Sequence, residues 1–358
     1  MMNEDLKKIR RLIDKIDKQI IESLNQRGVL AQKIKKAKSQ SSNQNIFRPE
    51  REAQILRNIK DINSGPLPND HLHVIFREII SSCLALETDL QVGCLGPEQS
   101  YSNIAAKKFF GSAVTMHFSD SIHEIFSNVQ KGAVNYGIVP IENSNQGSIK
   151  LTLEHLIKDN VMICGEVNLV IKHCLLSKAK NLKSIKKLYA HEQTFLQCND
   201  WLTKNIPNVK RLFSSSNSAA VKKIIKLKDS AAIASNSCSA HYDIPILKNN
   251  IHDNTDNTTR FIVIGDQNIG GSGNDKTSIL ISIDNKSGAL NSLLEPLSKN
   301  KISMSKIESI PTKINNWEYM FLLDIEGHID DKLVKESLKE IQKKSIFFKN
   351  LGSYPRSI

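Results

Sequence analysis

Asp256-Asn257-Thr258-Thr259-Arg260-Phe261-Ile262-Val263-Ile264 runs turn-forming residues straight into an apolar, β-branched segment. The pattern is that of a loop delivering two hydroxyls and a guanidinium to the start of a buried strand. Thr259 beside Arg260 suits a substrate with carboxylates and a departing oxygen, because a hydroxyl can donate to the oxygen while an Arg fork pairs a carboxylate. Composition alone allows a plainer reading, a Thr/Asn turn with Arg260 paired to a nearby acid. The surrounding chain decides between them.

Upstream, short apolar runs alternate with amphipathic ones from about residue 90. Strands are expected at Gln91–Leu95, 113–117 and 136–140, with helices at 100–110 and 122–131, an α/β alternation. Residues 141–148 read as a polar loop, followed by a helix over 148–158 whose first N–H groups could hold an anion.

Five strings in this region, taken in order, resemble the prephenate dehydratases. They are G-P-E-Q-S-Y-S (96–102), V-P-I-E-N-S-N-Q-G-S-I (139–149), A-H-E-Q-T-F-L-Q-C (190–198), A-A-I-A-S (231–235) and N-T-T-R-F (257–261). The resemblance covers 91–267. It implies two α/β lobes with the site in the cleft, the second lobe at about 168–250, and a return of the chain to the first lobe for the Thr-Arg-Phe strand. It makes Thr259 the catalytic donor to the departing hydroxyl. Ser100, Asn143, Ser144, Gln193 and Arg260 are its expected substrate-binding companions, with Arg260 open to a structural role instead. His191 is as readily structural, and His173, in an apolar run, reads as a core residue. Gln99 stands where the family has Gly, so that turn is expected to differ if the Gly used a positive φ. Ser100 replaces a Thr but keeps the hydroxyl.

Downstream, the Gly-, Asn- and Asp-rich 267–276 is a linker. A β-α-β-β-α order over 277–355 follows and resembles the ferredoxin-like (α+β) ACT regulatory domain. Gly288-Ala289-Leu290 and Glu308-Ser309 match its two ligand-site motifs, which implies phenylalanine as effector. Ile310 occupies the place of the family's Arg and is expected to weaken the response.

The first ninety residues are different. Leu6, Ile9, Ile13, Ile16, Ile20, Leu24, Leu30 and Ile34 recur mostly at steps of three and four, marking one amphipathic helix over 4–40. Such a helix is about 50 Å long and cannot bury its stripe in a small domain, so a partner chain is expected. Helices at Pro49–Ile62 and Asn69–Glu87 follow. Residues 1–60 hold 15 Lys/Arg against 7 Asp/Glu, so +8 of the chain's net +12 lies there. That charge suits a polyanion, and a solvated basic helix is its plain alternative.

The strings 9–17, 26–38, 47–52 and 81–87 resemble the all-α chorismate mutases, which are intertwined dimers. The resemblance implies a substrate pocket of Arg10 (from the partner), Arg27, Lys38, Arg48, Arg51, Glu52, Cys83 and Glu87. Lys38 and Glu87 would be catalytic at the ether oxygen, Glu87 as a protonated donor whose action fades as pH rises. A dianion rearranging through a chair needs positioned cations but neither nucleophile nor metal.

The 358 residues allow two or three domains, and no apolar run approaches the roughly 20 residues of a membrane span. Six scattered cysteines lack a C-x-x-C pair and read as buried reduced thiols. The expectation is a cytoplasmic multidomain enzyme of phenylalanine synthesis, acting on chorismate and prephenate. It would be a homodimer or larger, with no cofactor, metal, nucleic acid or membrane partner. A ligand-sensing nucleic-acid switch is the contrasting reading. It is disfavoured because residues 1–90 lack the short helix-turn-helix of groove readers.

Overall fold

The computed structural model describes residues 2–39, 47–254, 256–284, 286–311 and 319–357. The chain forms two compact units, residues 1–90 with 110–115, and the remainder.

The first unit is helical: α1 (Met2–Ser39), α2 (Pro49–Ile62) and α3 (Asn69–Glu87). Pro49 opens α2 with its locked φ, and Glu50 and Glu52 sit in the first turn, where the helix dipole favours acids. The α1 stripe lies in the open: Leu6, Ile9, Ile13, Ile16 and Ile20 are each about half exposed. A stripe of that length facing water marks an interaction surface.

The second unit opens with β1 (Gln91–Leu95), α4 (Tyr101–Phe110), β2 (Thr115–Ser119), α5 (Ile122–Gln130), β3 (Tyr136–Asn143), β4 (Gly147–Ser148), α6 (Lys150–Lys158) and β5 (Met162–Val170). A second lobe follows with β6 (Cys174–Ser177), β7 (Lys187–Ala190), α7 (Glu192–Gln197), α8 (Asn199–Asn205), β8 (Lys210–Phe213), α9 (Asn217–Ile224), β9 (Ser230–Ala234), α10 (Asn236–Tyr242) and β10 (Ile246–Lys248). The chain then re-enters the first lobe as β11 (Thr258–Gly265).

The first sheet runs β2-β1-β3-β11-β5 with β4 on β3, and the second β10-β6-β9-β7-β8. Strand β11 is the antiparallel partner of both β3 and β5. It is wholly apolar from Phe261 to Ile264 because it lies in the middle of the sheet.

Two sequence expectations shift. The strand expected at 113–117 lies at Thr115–Ser119. The strand expected to stop at Pro140 continues to Asn143, because Thr259 and Arg260 pair Asn143 and Glu142 from more than a hundred residues away. Its polar composition argued for a loop, and the distant partner outweighs it. The register slips between Arg260 and Phe261, a bulge of the kind that re-aims side chains beside a site.

The C-terminal module comprises β12 (Asp275–Ser282), α11 (Ala289–Lys299), β13 (Met304–Pro311), β14 (Tyr319–Glu326), α12 (Lys332–Lys344) and β15 (Phe347–Pro355). Its sheet order is β13-β14-β12-β15. The last strand extends the expected β-α-β-β-α pattern to a ferredoxin-like βαββαβ. Alternate residues of β12 face opposite ways: Ile279 and Ile281 pack with Leu293 and Leu338 of the helices, and Leu280 packs with Ile163 and Ile262 of the first lobe. Strand β15 crosses β5 so closely that a Cβ on Gly352 would lie 2.3 Å from the Ile163 carbonyl oxygen. Gly352 has φ 136°, so glycine is required there on both counts.

Candidate active sites and their family

A cleft of about 300 Å³ lies between the two lobes. Thr259 lines it, 9% exposed. Asn143 lines it too, and its Nδ2 donates to Thr259 Oγ1 at 2.8 Å. The direction of that bond is set by a backbone donor, since the Asn145 N–H donates to Asn143 Oδ1 at 3.0 Å. Thr259 therefore accepts from the protein, and no acceptor for its own proton lies among the described residues.

Of the other expected residues, Ser100 and Gln193 line the cleft. Ser100 Oγ donates to the Leu95 carbonyl and accepts from the Asn103 N–H. Ser144 is not among the cleft residues. Its hydroxyl donates to the Asp256 carbonyl and accepts from the Thr258 N–H, tying the loop that precedes β11.

Arg260 also points elsewhere, as strand alternation from a cleft-facing Thr259 requires. Its Nε donates to Glu166 at 2.8 Å and its Nη1 to Asp324 at 2.6 Å, while Nη2 reaches Tyr354 Oη at 3.0 Å. Burial pulls its pKa down, but Tyr354, Asp324 and Glu166 raise it further, so it stays a cation. The substrate-ligand assignment is corrected accordingly: Arg260 is the structural ion pair left open above, joining β11 to the C-terminal module.

No Lys or Arg appears among the described cleft residues. Two helix starts line the cleft instead. Ser215 to Ser218 surround the opening of the eight-residue α9, where Ser216 caps by accepting from the Ala219 N–H. Ser100, Tyr101 and Ser102 surround that of the ten-residue α4. Oriented N–H groups at helix starts bind carboxylates without a formal cation.

His173 also belongs to the cleft rather than only to the core. It is 1% exposed, and burial pushes its pKa down to about 4 against the Gln197 hydrogen bond, so it is neutral. His191 lines the cleft and caps α7, its Nδ1 accepting from the Gln193 N–H at 3.3 Å. Gln99 holds the left-handed φ of 65° that the family's Gly suggests, and its Nε2 lies 3.3 Å from His241 Nδ1 across the cleft. Asn217, Gln197 and Asn257 were not singled out from sequence, although Gln197 and Asn257 lie inside quoted motifs.

In the helical unit Glu52 is buried and accepts from Arg77 Nη1 at 2.6 Å. Arg77 is a cation paired to Glu52 that no motif flagged. Arg27 is half-buried and donates to the Ile79 carbonyl at 3.4 Å. Arg48 pairs Glu50, and Arg51 is exposed, 3.5 Å from Gln54. Arg10 is exposed on α1; Cys83 is buried and Glu87 half-buried on α3. The Lys38 side chain lies outside the described residues.

Burial pushes Glu52 up to about 7, against Arg77 and Arg27, which pull it down. A raised folded pKa stabilises the fold fully below the unfolded value and is lost as pH rises through the folded one. The thermal midpoint of the helical transition is therefore expected to fall between about pH 4.5 and 7. Circular dichroism melts of the full chain and of Glu52→Gln check this. Equal slopes in the two would remove Glu52 as the cause.

In the C-terminal module, Gly288 (φ 78°) caps α11, and Ala289 and Leu290 begin it. Glu308 is braced by Lys306 Nζ at 3.0 Å and bonded by the Ser148 hydroxyl, while Ser309 is exposed. Ile310 is a core residue, 9% exposed among Ile163 and Leu280. An Arg substituted there would be buried, and Lys306 already supplies the brace that Ile310 was expected to leave missing.

Two separate sites and a sensor-like module define a multifunctional biosynthetic enzyme. Residues 9–88 match the type II chorismate mutase model, 92–269 the prephenate dehydratase model and 277–342 the ACT domain model. The chain is 41% identical over 360 residues to the bifunctional chorismate mutase/prephenate dehydratase of Pseudomonas aeruginosa and 38% identical over 359 residues to that of Aquifex aeolicus. Each match covers 99% of both chains. It belongs to that bifunctional family. Among solved structures, the prephenate dehydratase of Arthrobacter aurescens in complex with L-Phe is 27% identical, with a TM-score of 0.68 over 75% of this chain and 90% of that one.

Proposed function

We propose that the chain is a bifunctional enzyme that rearranges chorismate to prephenate in its helical unit and converts prephenate to phenylpyruvate in the cleft. The cleft observation that supports this is the Asn143 amide donating to Thr259 Oγ1, which leaves the hydroxyl proton available to a substrate. In the second reaction the C–CO₂ bond breaks, its electron pair completes the aromatic ring, and the ring hydroxyl leaves. Thr259 donates to that departing oxygen, while the starts of α4 and α9 orient the two carboxylates. Thr is a poor acid, so its contribution is placement more than proton affinity.

In the helical unit, Arg27, Lys38 and Arg10 of a partner copy hold the dianion as a chair, and Lys38 and Glu87 meet the breaking ether oxygen. Arg48, Arg51, Glu52 and Cys83 complete the pocket. The exposed α1 stripe supports a homodimer. Phenylalanine, present in the solved relative, is the effector, received by Gly288, Ala289, Leu290, Glu308 and Ser309. Among the described residues no helix is long and apolar enough to cross a membrane; the cytoplasm is the proposed compartment.

Lys38→Ala is expected to lower chorismate turnover about a hundredfold or more while sparing turnover of supplied prephenate. Separate assays with the two substrates check this, and an equal loss in both would argue against two sites.

A further inference from the structure

A directed chain of hydrogen bonds leads away from Thr259. Asn143 Nδ2 donates to Thr259 Oγ1 and to Asn257 Oδ1, each at 2.8 Å. Asn257 Nδ2 donates to Gln197 Oε1 at 3.2 Å, and His173 Nε2 lies 2.7 Å from the same oxygen. The Asn145 N–H fixes Asn143 at the near end. From there each amide has only one orientation that pairs a donor with an acceptor. An amide oxygen can only accept, so His173 must carry its proton on Nε2. Its Nδ1 is then bare, 3.2 Å from the Tyr101 hydroxyl, whose single proton is shared between that nitrogen and the Lys172 carbonyl at 2.8 Å. The His173 backbone N–H donates to His252 Nδ1.

We propose that His173, as the Nε2-protonated neutral imidazole, is a positioning residue of the dehydratase site: it closes the far end of this chain and keeps the Thr259 proton aimed into the cleft. Suppose the Gln197 amide turned over. Two donors would then meet at Asn257, which would turn in its place, and Asn143 after it. Asn143 would present Oδ1 to Thr259, and the hydroxyl proton would be spent on the protein. The Asn145 backbone N–H resists that reversal at one end and the His173 ring Nε2–H at the other. A core histidine with no such role would have satisfied nitrogens but no connected path to a cleft hydroxyl.

This rests on the reading of Thr259 as donor, which Thr259→Ala tests on its own. The tautomer is tested without reference to activity, by ¹⁵N NMR of histidine-labelled full-length protein near neutral pH. The expected spectrum has Nε2 protonated and Nδ1 bare, and an Nδ1-protonated His173 overturns the proposal even if Thr259 is confirmed. In parallel, His173→Leu is expected to lower kcat for prephenate about 10- to 100-fold with KM changed less than about threefold and chorismate turnover intact. His173→Gln, which restores an N–H near the Nε2 position, is expected to recover kcat to within about threefold of wild type. Wild-type kcat in His173→Leu overturns the proposal, as does equal loss in both variants with raised KM, which would mean the ring only fills space.

Discussion

Thr259→Ala is expected to lower turnover of supplied prephenate about 10²- to 10³-fold and leave chorismate turnover unchanged. The substitution removes a cleft hydroxyl whose oxygen accepts from Asn143 and for whose proton no acceptor lies among the described residues. It leaves the Asn143 amide with Asn257 and Asn145, so the surrounding frame persists. The loss should therefore fall on kcat rather than on folding. Thr259→Ser keeps the hydroxyl but loses the β-branch that restricts χ1, and is expected to hold part of the activity. Steady-state rates for each substrate separate these outcomes, and normal prephenate turnover in the Ala variant would end the assignment.

The largest stability effect is expected at the next residue. Arg260→Leu should destabilise the second unit by about 3–5 kcal/mol, because it strands buried carboxylates. Asp324 would keep only the Ser278 hydroxyl as its side-chain partner, and Glu166 would keep Lys276. Both acids are almost wholly buried, with side chains 2% and 3% exposed, so solvent cannot replace the guanidinium. Arg260→Lys carries the charge without the fork and should recover only part of the loss. Urea unfolding measures this. If Arg260 instead held a substrate carboxylate, the Lys variant would raise KM for prephenate at unchanged stability.

The pair Thr259 and Arg260 shows where reading by residue type stops. Both were legible as functional candidates from N-T-T-R-F, but strand alternation sends them to opposite faces, and only the partners on each face assign the roles. Ser144 and Asn143 divide in the same way: adjacent in one motif, one ties a loop and the other sets the polarity of a hydroxyl. Arg77 and Asp324 lie in no motif. Their importance comes from burial beside an opposite charge, which no local pattern encodes. Ile310 is a related case: a position compared by residue type alone does not report that its side chain faces a core.

The sequence by itself determined the three-part organisation, because period and composition change sharply near residues 90 and 270. It also determined the spans of α2 and α3, bounded by Pro49 and by the Asn63-Ser64-Gly65-Pro66 break, and the buried β-branched strand after Thr259. These are local consequences of propensity and periodicity. Only the tertiary structure decided that β3 runs on to Asn143, that Arg260 joins β11 to β14 and β15, and that the starts of α4 and α9, with no Lys or Arg among the described residues, line the cleft. It alone made His173 part of the cleft. Each of those outcomes depends on groups more than fifty residues apart, or on the direction a side chain takes from its strand. Hydrogen-bond polarity and burial exist only once those groups meet.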